Sequence, residues 1–216
     1  MSLITVERKI LEKNDAIAAL NRKLFHEKGL FAVNLVSSPG SGKTSLIEES
    51  IRRLKSNVPM SVIEGDCQTN LDAERIDALE VPVVQIVTNG GCHLDAMLVR
   101  DAFEKLKDLP LKLLIIENVG NLVCPAAYDL GEDMKVLIMS VTEGDDKALK
   151  YPAMFRNSQV LIINKIDLLP YLDSNPETIK KNALSINPEL KIFETSCKSG
   201  EGIENWCTFL TKQMTN

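Results

Sequence analysis

A chain of 216 residues, 44% hydrophobic and 25% charged, is long enough for one α/β domain with a sizeable core and has the balance of a globular protein. Its net charge of -5 argues against nucleic acid as a partner, because binding a phosphate backbone needs a basic surface. No apolar signal core opens the chain and no run nears the roughly eighteen apolar residues of a membrane helix, so a cytoplasmic protein without a membrane partner is expected.

In chain order, the spacing of Ile10, Ile17, Leu20, Leu24 and Phe25 predicts a helix over about 4–28, stopped by Gly29 and covering one edge of a sheet. The apolar run 31–36 predicts a strand, and Ser37-Ser38-Pro39-Gly40-Ser41-Gly42-Lys43-Thr44 follows it directly, with a helical pattern from Ser45 onward. Strand, glycine-bearing loop and helix form the context of a phosphate-binding loop, although Ser37 stands where the usual pattern has its first glycine. Gly40 and Gly42 let successive N–H groups turn inward around a phosphate chain at the positive end of the helix. Lys43 offers a cation to the β- and γ-phosphates and Thr44 a hydroxyl to a bridging Mg2+, with Ser41 and Ser45 completing the expected binding loop.

Further strands are predicted over 60–64, 81–87, 111–117, 134–141, 160–163 and 191–194, with helices over 71–79, 94–107 and 203–212. A loop, 65–70, follows the 60–64 strand. Helices between consecutive strands allow parallel pairing, and continuously apolar strands such as 113–116 belong to a sheet covered on both faces. The fold expected is α/β, a P-loop NTPase with a mostly parallel central sheet and helices on both faces, with 1–216 forming a single domain. Ligands of such sheets bind at the carboxyl ends of the strands.

Asn164-Lys165-Ile166-Asp167 sits at one such end. Asp167 can accept two hydrogen bonds from N1–H and the exocyclic amine of guanine, which adenine cannot reproduce, so the expected ligand is GTP or GDP. Asn164 would brace the loops, the Lys165 stem would lie along the base, and Ser196, Cys197 and Lys198 would wall the far side. Hydrolysis needs a magnesium carboxylate, for which Asp66 and Glu117 are the candidates, so Lys43, Asp66 and Glu117 form the expected catalytic set and Thr44, Asp66 and Glu117 the Mg2+ set. Lys147 and Lys150 are candidates to offset developing charge, in cis or from a second protomer.

Five cysteines, at 67, 92, 124, 197 and 207, lack disulfide-framework spacing and read as reduced thiols or metal ligands. Cys92-His93 and Cys124 leave the same sheet edge on separate loops, and two thiols and an imidazole make a metal-ligand set or two buried thiols beside a capping histidine. Cys67 reads as a loop thiol, Cys207 as a core residue beside Trp206, and His26 as a surface residue without partners.

The pattern Ile10-Leu11, Asn14-Asp15, Asn21-Arg22, Asn34-Leu35, Ser37 to Thr44, Gly65-Asp66, Asp72-Ala73, Cys92-His93-Leu94-Asp95-Ala96 and Glu117-Asn118-Val119-Gly120-Asn121-Leu122-Val123-Cys124-Pro125 resembles the HypB family of hydrogenase nickel incorporation GTPases over nearly the whole chain. The resemblance implies a GTPase of the nickel- and ATPase-like (SIMIBI) branch that hydrolyses GTP to GDP and dimerises with GTP and metal. It also implies nickel delivery to the large subunit of a nickel–iron hydrogenase, with a HypA-like metallochaperone as partner. It makes Cys92, His93 and Cys124 the ligands of Ni2+ or Zn2+. Neither the cysteine-rich nickel motif nor the histidine-rich tract of some members precedes Val6, so nickel storage by the N-terminus is not expected. The alternatives are a urease-accessory-type nickel GTPase, disfavoured because Cys92-His93 and Cys124 do not form one compact Cys-Pro-His unit, and a guanine-nucleotide-binding regulatory module with negligible turnover.

Overall fold

The computed structural model describes residues 6–68 and 71–215. The ends of two expected elements, residues 4–5 of the first helix and 69–70 of the loop after the second strand, lie outside the described residues. In chain order the elements are α1 (Val6–Glu27), β1 (Phe31–Ser37), α2 (Lys43–Leu54), β2 (Met60–Asp66), α3 (Leu71–Asp77), β3 (Val83–Val87), α4 (Ala96–Phe103) and β4 (Leu113–Glu117). There follow β5 (Met134–Ser140), α5 (Lys147–Lys150), α6 (Pro152–Arg156), β6 (Val160–Asn164), α7 (Pro176–Ile186), β7 (Lys191–Glu194) and α8 (Ile203–Gln213).

Among the described residues the seven strands make one sheet in the order β3-β2-β4-β1-β5-β6-β7, and every pairing is parallel. Alternation along each strand sends side chains to opposite faces. Val33, Leu35, Ile115, Val136 and Ile162 face one side and pack with Leu46, Ile51, Trp206 and Leu210 of α2 and α8. Ala32, Ile63, Leu114 and Ile116 face the other side and pack with Phe25 of α1 and Val99 and Phe103 of α4. On that second face Val36, Leu137, Leu161 and Ile163 form a separate cluster with Met154, Phe155 and Ile179.

Several sequence expectations shift. The strand expected from Val81 begins at Val83, because Pro82 has no N–H for the ladder and uses only its carbonyl, which accepts from Val62 N. The helix expected over 94–107 is α4 alone, since Leu94 is buried in the preceding loop, Asp95 caps by accepting from Leu98 N, and the chain past Phe103 tightens into turns. The amphipathic reading of α1 is corrected: Ile10 and Leu20 are 52% and 55% exposed, and the helix buries Asn14, Ala18, Asn21 and Phe25. It does not cover an edge but packs beside α4 and against β1, a central strand. The asparagines are buried because they answer backbone carbonyls of the 129–130 loop and the start of α4: Asn14 Nδ2 donates to Asp129 O at 2.8 Å, and Asn21 Nδ2 to Ala96 O at 2.7 Å and Leu130 O at 3.0 Å. The sequence reading gave no bounds for α5, α6 and α7; Asn175 caps α7 by accepting from Glu177 N at 2.9 Å, with Pro176 in its first turn.

Candidate nucleotide and metal sites

The phosphate loop crosses from the end of β1 to the start of α2 with Gly40 at φ 76° and Gly42 at φ 99°, conformations a side chain resists. Lys43 Nζ donates to Ser37 Oγ at 3.1 Å, so the serine in place of the usual glycine parks the ammonium at the loop. Thr44 Oγ1 donates to Glu117 Oε1 at 2.7 Å, and Lys43 Nζ lies 3.9 Å from the same oxygen. Ser41 is turned away from the cavity: its buried hydroxyl lies 2.6 Å from Glu143 Oε1, to which it donates, and 2.8 Å from Ser38 O.

Two adjoining cavities share Gly42, Ser45 and Lys165 in their walls. The first, about 520 Å3, is lined by Gly40, Lys43, Thr44, Asp66 and Glu117, and also by Glu64, Asp72 and Arg75. The second, about 420 Å3, is lined by Asn164, Asp167, Cys197 and Lys198 together with Glu48, Glu49 and Arg52. Behind it, Asn164 Nδ2 donates to Ser41 O at 2.9 Å, Lys165 Nζ to Gly40 O at 2.6 Å, and Ser196 Oγ to Asp167 Oδ1 at 2.6 Å. Ser196 therefore orients Asp167, and Lys165 holds the phosphate loop from the second cavity.

Sequence reasoning missed Glu64. The β2–β4 register sets it beside Glu117, and its carboxylate lies within 4.8 Å of those of Asp66 and Asp72. Burial, with Glu117, Asp66 and Asp72 nearby, pushes its pKa up to about 8. Burial likewise raises Glu117 to about 7, although Lys43 and the Thr44 hydroxyl favour its charged form. Oε2 of each is buried without a hydrogen-bond partner. A charged residue at the end of the expected 60–64 strand was the available signal for Glu64. Asp72 and Arg75 were missed as well; Arg75 bridges Asp72, at 2.9 Å, and Glu48, at 2.8 Å. Of the two candidate lysines, Lys147 is half-buried, pairing with Glu143 at 3.1 Å and lying over the Tyr151 ring, whereas Lys150 pairs with Asp146 in the open.

Beyond Glu117 at the end of β4, the chain reaches a one-turn helix, Cys124–Ala126. Here Cys92 Sγ donates to Cys124 Sγ at 2.9 Å and lies 3.5 Å from His93 Nδ1, and the three ligand atoms fall within 4.8 Å of one another. Both thiols are free. The hydrogen bond to Cys124, with burial, raises the Cys92 thiol above its ordinary value, and burial keeps His93 neutral by lowering its pKa. Two soft sulfurs and a neutral imidazole suit nickel or zinc. Asn121 ties the loops, donating to Cys92 O at 3.2 Å, and Tyr128 stacks on His93 with ring centres 3.9 Å apart. Cys67 donates to Gly91 O at 3.4 Å, and Cys207 is buried in the core with Trp206. His26, expected to lack partners, is paired through Nε2 with Asp133 at 2.6 Å.

Fold and cavity together define a P-loop nucleotide-binding protein, with a thiol–imidazole cluster shared between the loops that follow β3 and β4. The model of the CobW/HypB/UreG nucleotide-binding domain matches residues 31–194. Hydrogenase maturation factor HypB of Azotobacter chroococcum mcd 1 is 53% identical over 211 residues, 98% of this chain and 69% of that protein. The crystal structure of HypB from Archaeoglobus fulgidus superposes with a TM-score of 0.88 at 40% identity, covering 94% of this chain and 99% of that one. That of HypB from Helicobacter pylori in complex with nickel gives 0.90 at 40% identity, covering 94% and 95%. The chain belongs to the HypB family of hydrogenase maturation factors. Among the described residues no helix is long and apolar enough to cross a membrane.

Proposed function

We propose that the chain is a GTPase that uses Mg2+ and GTP hydrolysis to drive or regulate delivery of nickel during maturation of a nickel–iron hydrogenase. The observation that carries this reading is one segment of chain: Glu117, bonded to Thr44 of the phosphate loop, is seven residues from Cys124, whose sulfur meets Cys92. Thr44, Asp66 and Glu117 would hold Mg2+, and the orphaned Oε2 atoms of Glu117 and Glu64 fit a cation in that cavity. When bound, the ion would offset charge on the β- and γ-phosphates. Lys43 binds the same phosphates, inward-facing N–H groups of the loop orient them, and Asp167, steadied by Ser196, selects guanine. Cys92, His93 and Cys124 would carry Ni2+ as cargo, or Zn2+; three ligands leave a position open, which release requires and a closed four-ligand site lacks. Homodimerisation linked to GTP and metal, a HypA-like metallochaperone as nickel donor and the hydrogenase large subunit as recipient complete the reading.

Phosphate release from GTP under Mg2+ tests the activity. The parent releases phosphate, Lys43→Ala does not, and ATP is a poor substrate. Asp167→Asn turns an acceptor into a donor, so it weakens GTP and favours the xanthine nucleotide. No release above background refutes the enzyme reading, and undiminished GTP affinity in Asp167→Asn refutes the base pocket.

A further inference from the structure

We propose that Asn34, Glu132 and Lys135 are positioning residues for the cysteine–histidine cluster, forming with Asn118 a buried polar chain that sets the distance between the two loops carrying its ligands. The inference rests on the metal reading given above. Asn34 lies within β1 at 0% exposure, on the face where Ala32 belongs to one apolar cluster and Val36 to the next. A polar group there costs free energy unless it is bonded, and both ends of its amide are. Asn34 Oδ1 accepts from Asn118 Nδ2 at 3.3 Å, and Asn34 Nδ2 donates to Glu132 Oε1 at 3.0 Å.

The two ends of the chain reach different ligand loops. Asn118 Oδ1 accepts from Leu94 N at 3.1 Å, which fixes the residue after His93, and from Val119 N at 2.9 Å. At the other end Lys135, the register partner of Asn34 on β5, has Nζ 3.5 Å from Glu132 Oε1. That ammonium donates to Pro125 O at 3.2 Å and Tyr128 O at 2.9 Å. Pro125 follows Cys124, and the Tyr128 ring stacks on His93. Glu132 Oε2 accepts from Leu130 N at 2.7 Å, holding the return of the same loop. An apolar residue at 135 would serve β5 as well as its neighbours do. A buried ammonium is retained there because the irregular loop presents carbonyls that no strand or helix satisfies.

The test compares parent, Lys135→Met, Lys135→Arg and the Glu132→Gln, Lys135→Met double variant by Ni2+ titration against a chromophoric chelator, following the thiolate-to-metal absorption band. Lys135→Met weakens Ni2+ binding 10- to 100-fold, the range seen when ligand supports are removed, and alters the band. Lys135→Arg restores both, while GDP affinity stays within about two-fold of the parent. The double variant removes both charges, so it strands no buried carboxylate; it shows the same loss and decides the matter if the single variant fails to fold. Parental Ni2+ affinity and band in both Met variants, or a loss that Arg does not restore, overturns the proposal. Amide exchange at Ala126 and Ala127 in metal-free protein reads the clamp separately: it quickens in the Met variants, and unchanged exchange also overturns the proposal. Stoichiometric Ni2+ in a Cys92→Ala, Cys124→Ala variant overturns the metal reading instead, and amide exchange then decides the clamp alone.

Discussion

Gly42→Ala separates two costs that the phosphate loop combines. A Cβ at Gly42 would fall 2.4 Å from Asn164 Nδ2, well inside contact distance, and Gly42 sits at φ 99°. The left-handed backbone costs an alanine roughly 1–2 kcal/mol. Asn164 must also retreat, losing its 2.9 Å bond to Ser41 O and leaving that carbonyl, in a buried residue, unpaired. An orphaned buried acceptor costs about 1–3 kcal/mol, so the whole change is about 2–5 kcal/mol, a large share of a typical domain stability of about 5–15. Gly40→Ala is the control: its φ is 76°, but its Cβ would meet nothing within 4 Å, so only the backbone cost applies. Urea unfolding of both variants, with and without Asn164→Ala, isolates the contact. In the Asn164→Ala background the Cβ at 42 has nothing to strike, and the two glycine substitutions become equal within about 0.5 kcal/mol. If Gly42→Ala is no more damaging than Gly40→Ala in the parent, the bracing of the phosphate loop by Asn164 is refuted.

Three further outcomes are expected. Glu64 and Glu117 have folded pKa values raised to about 8 and about 7 from 4.5, so the folded state binds more protons than the unfolded one in between; their contribution is full below about pH 4.5 and is lost as pH rises through those values. Metal-free protein therefore loses stability from pH 5 to 8, the last stretch above pH 7 chiefly through Glu64, and urea midpoints for Glu64→Gln in that stretch are flatter; parallel profiles contradict the assignment. Gly131→Ala, whose Cβ would lie 2.7 Å from Ala18 O and 2.9 Å from Arg22 N at φ 92°, pushes α1 off the 126–133 loop and costs more than about 2 kcal/mol by the same unfolding assay. Ser50→Ala strips the buried Trp206 Nε1 of its 3.1 Å acceptor and costs about 1–3 kcal/mol, with the tryptophan emission reporting the loss.

The phosphate loop and the 164–167 segment were legible in the sequence because each is a local pattern attached to the end of an apolar strand, and strand order places all such ends on one edge. Glu64 was not, because its meaning depends on Glu117 lying beside it, a pairing fixed by register across some fifty residues. The polar chain through Asn34, Glu132 and Lys135 was hidden for the same reason. Helix α1 misled for a different one: amphipathic spacing assumes an apolar buried stripe, whereas Asn14 and Asn21 are buried to meet loop carbonyls. The short α5 and α6 span four and five residues, too few for a 3.6-residue period to declare itself.

The parallel sheet also explains why nucleotide and metal would be linked under the proposed function. Glu117 ends β4, a strand next to the one that launches the phosphate loop, and Gly120 approaches Pro39 so closely that a Cβ would stand 3.2 Å from it. A shift of the loop after β4 toward a γ-phosphate would thus be constrained on the phosphate-loop side, leaving its freedom toward Asn121 and Cys124. Asn118 and Asn121 couple that freedom to the other ligand loop, through Leu94 N and Cys92 O. A nucleotide can bias this arrangement only by its differential affinity for the two loop positions. Under that reading the same free energy would appear when metal is bound first, typically about 1–3 kcal/mol, so GTP and nickel would each report on the other through one short segment.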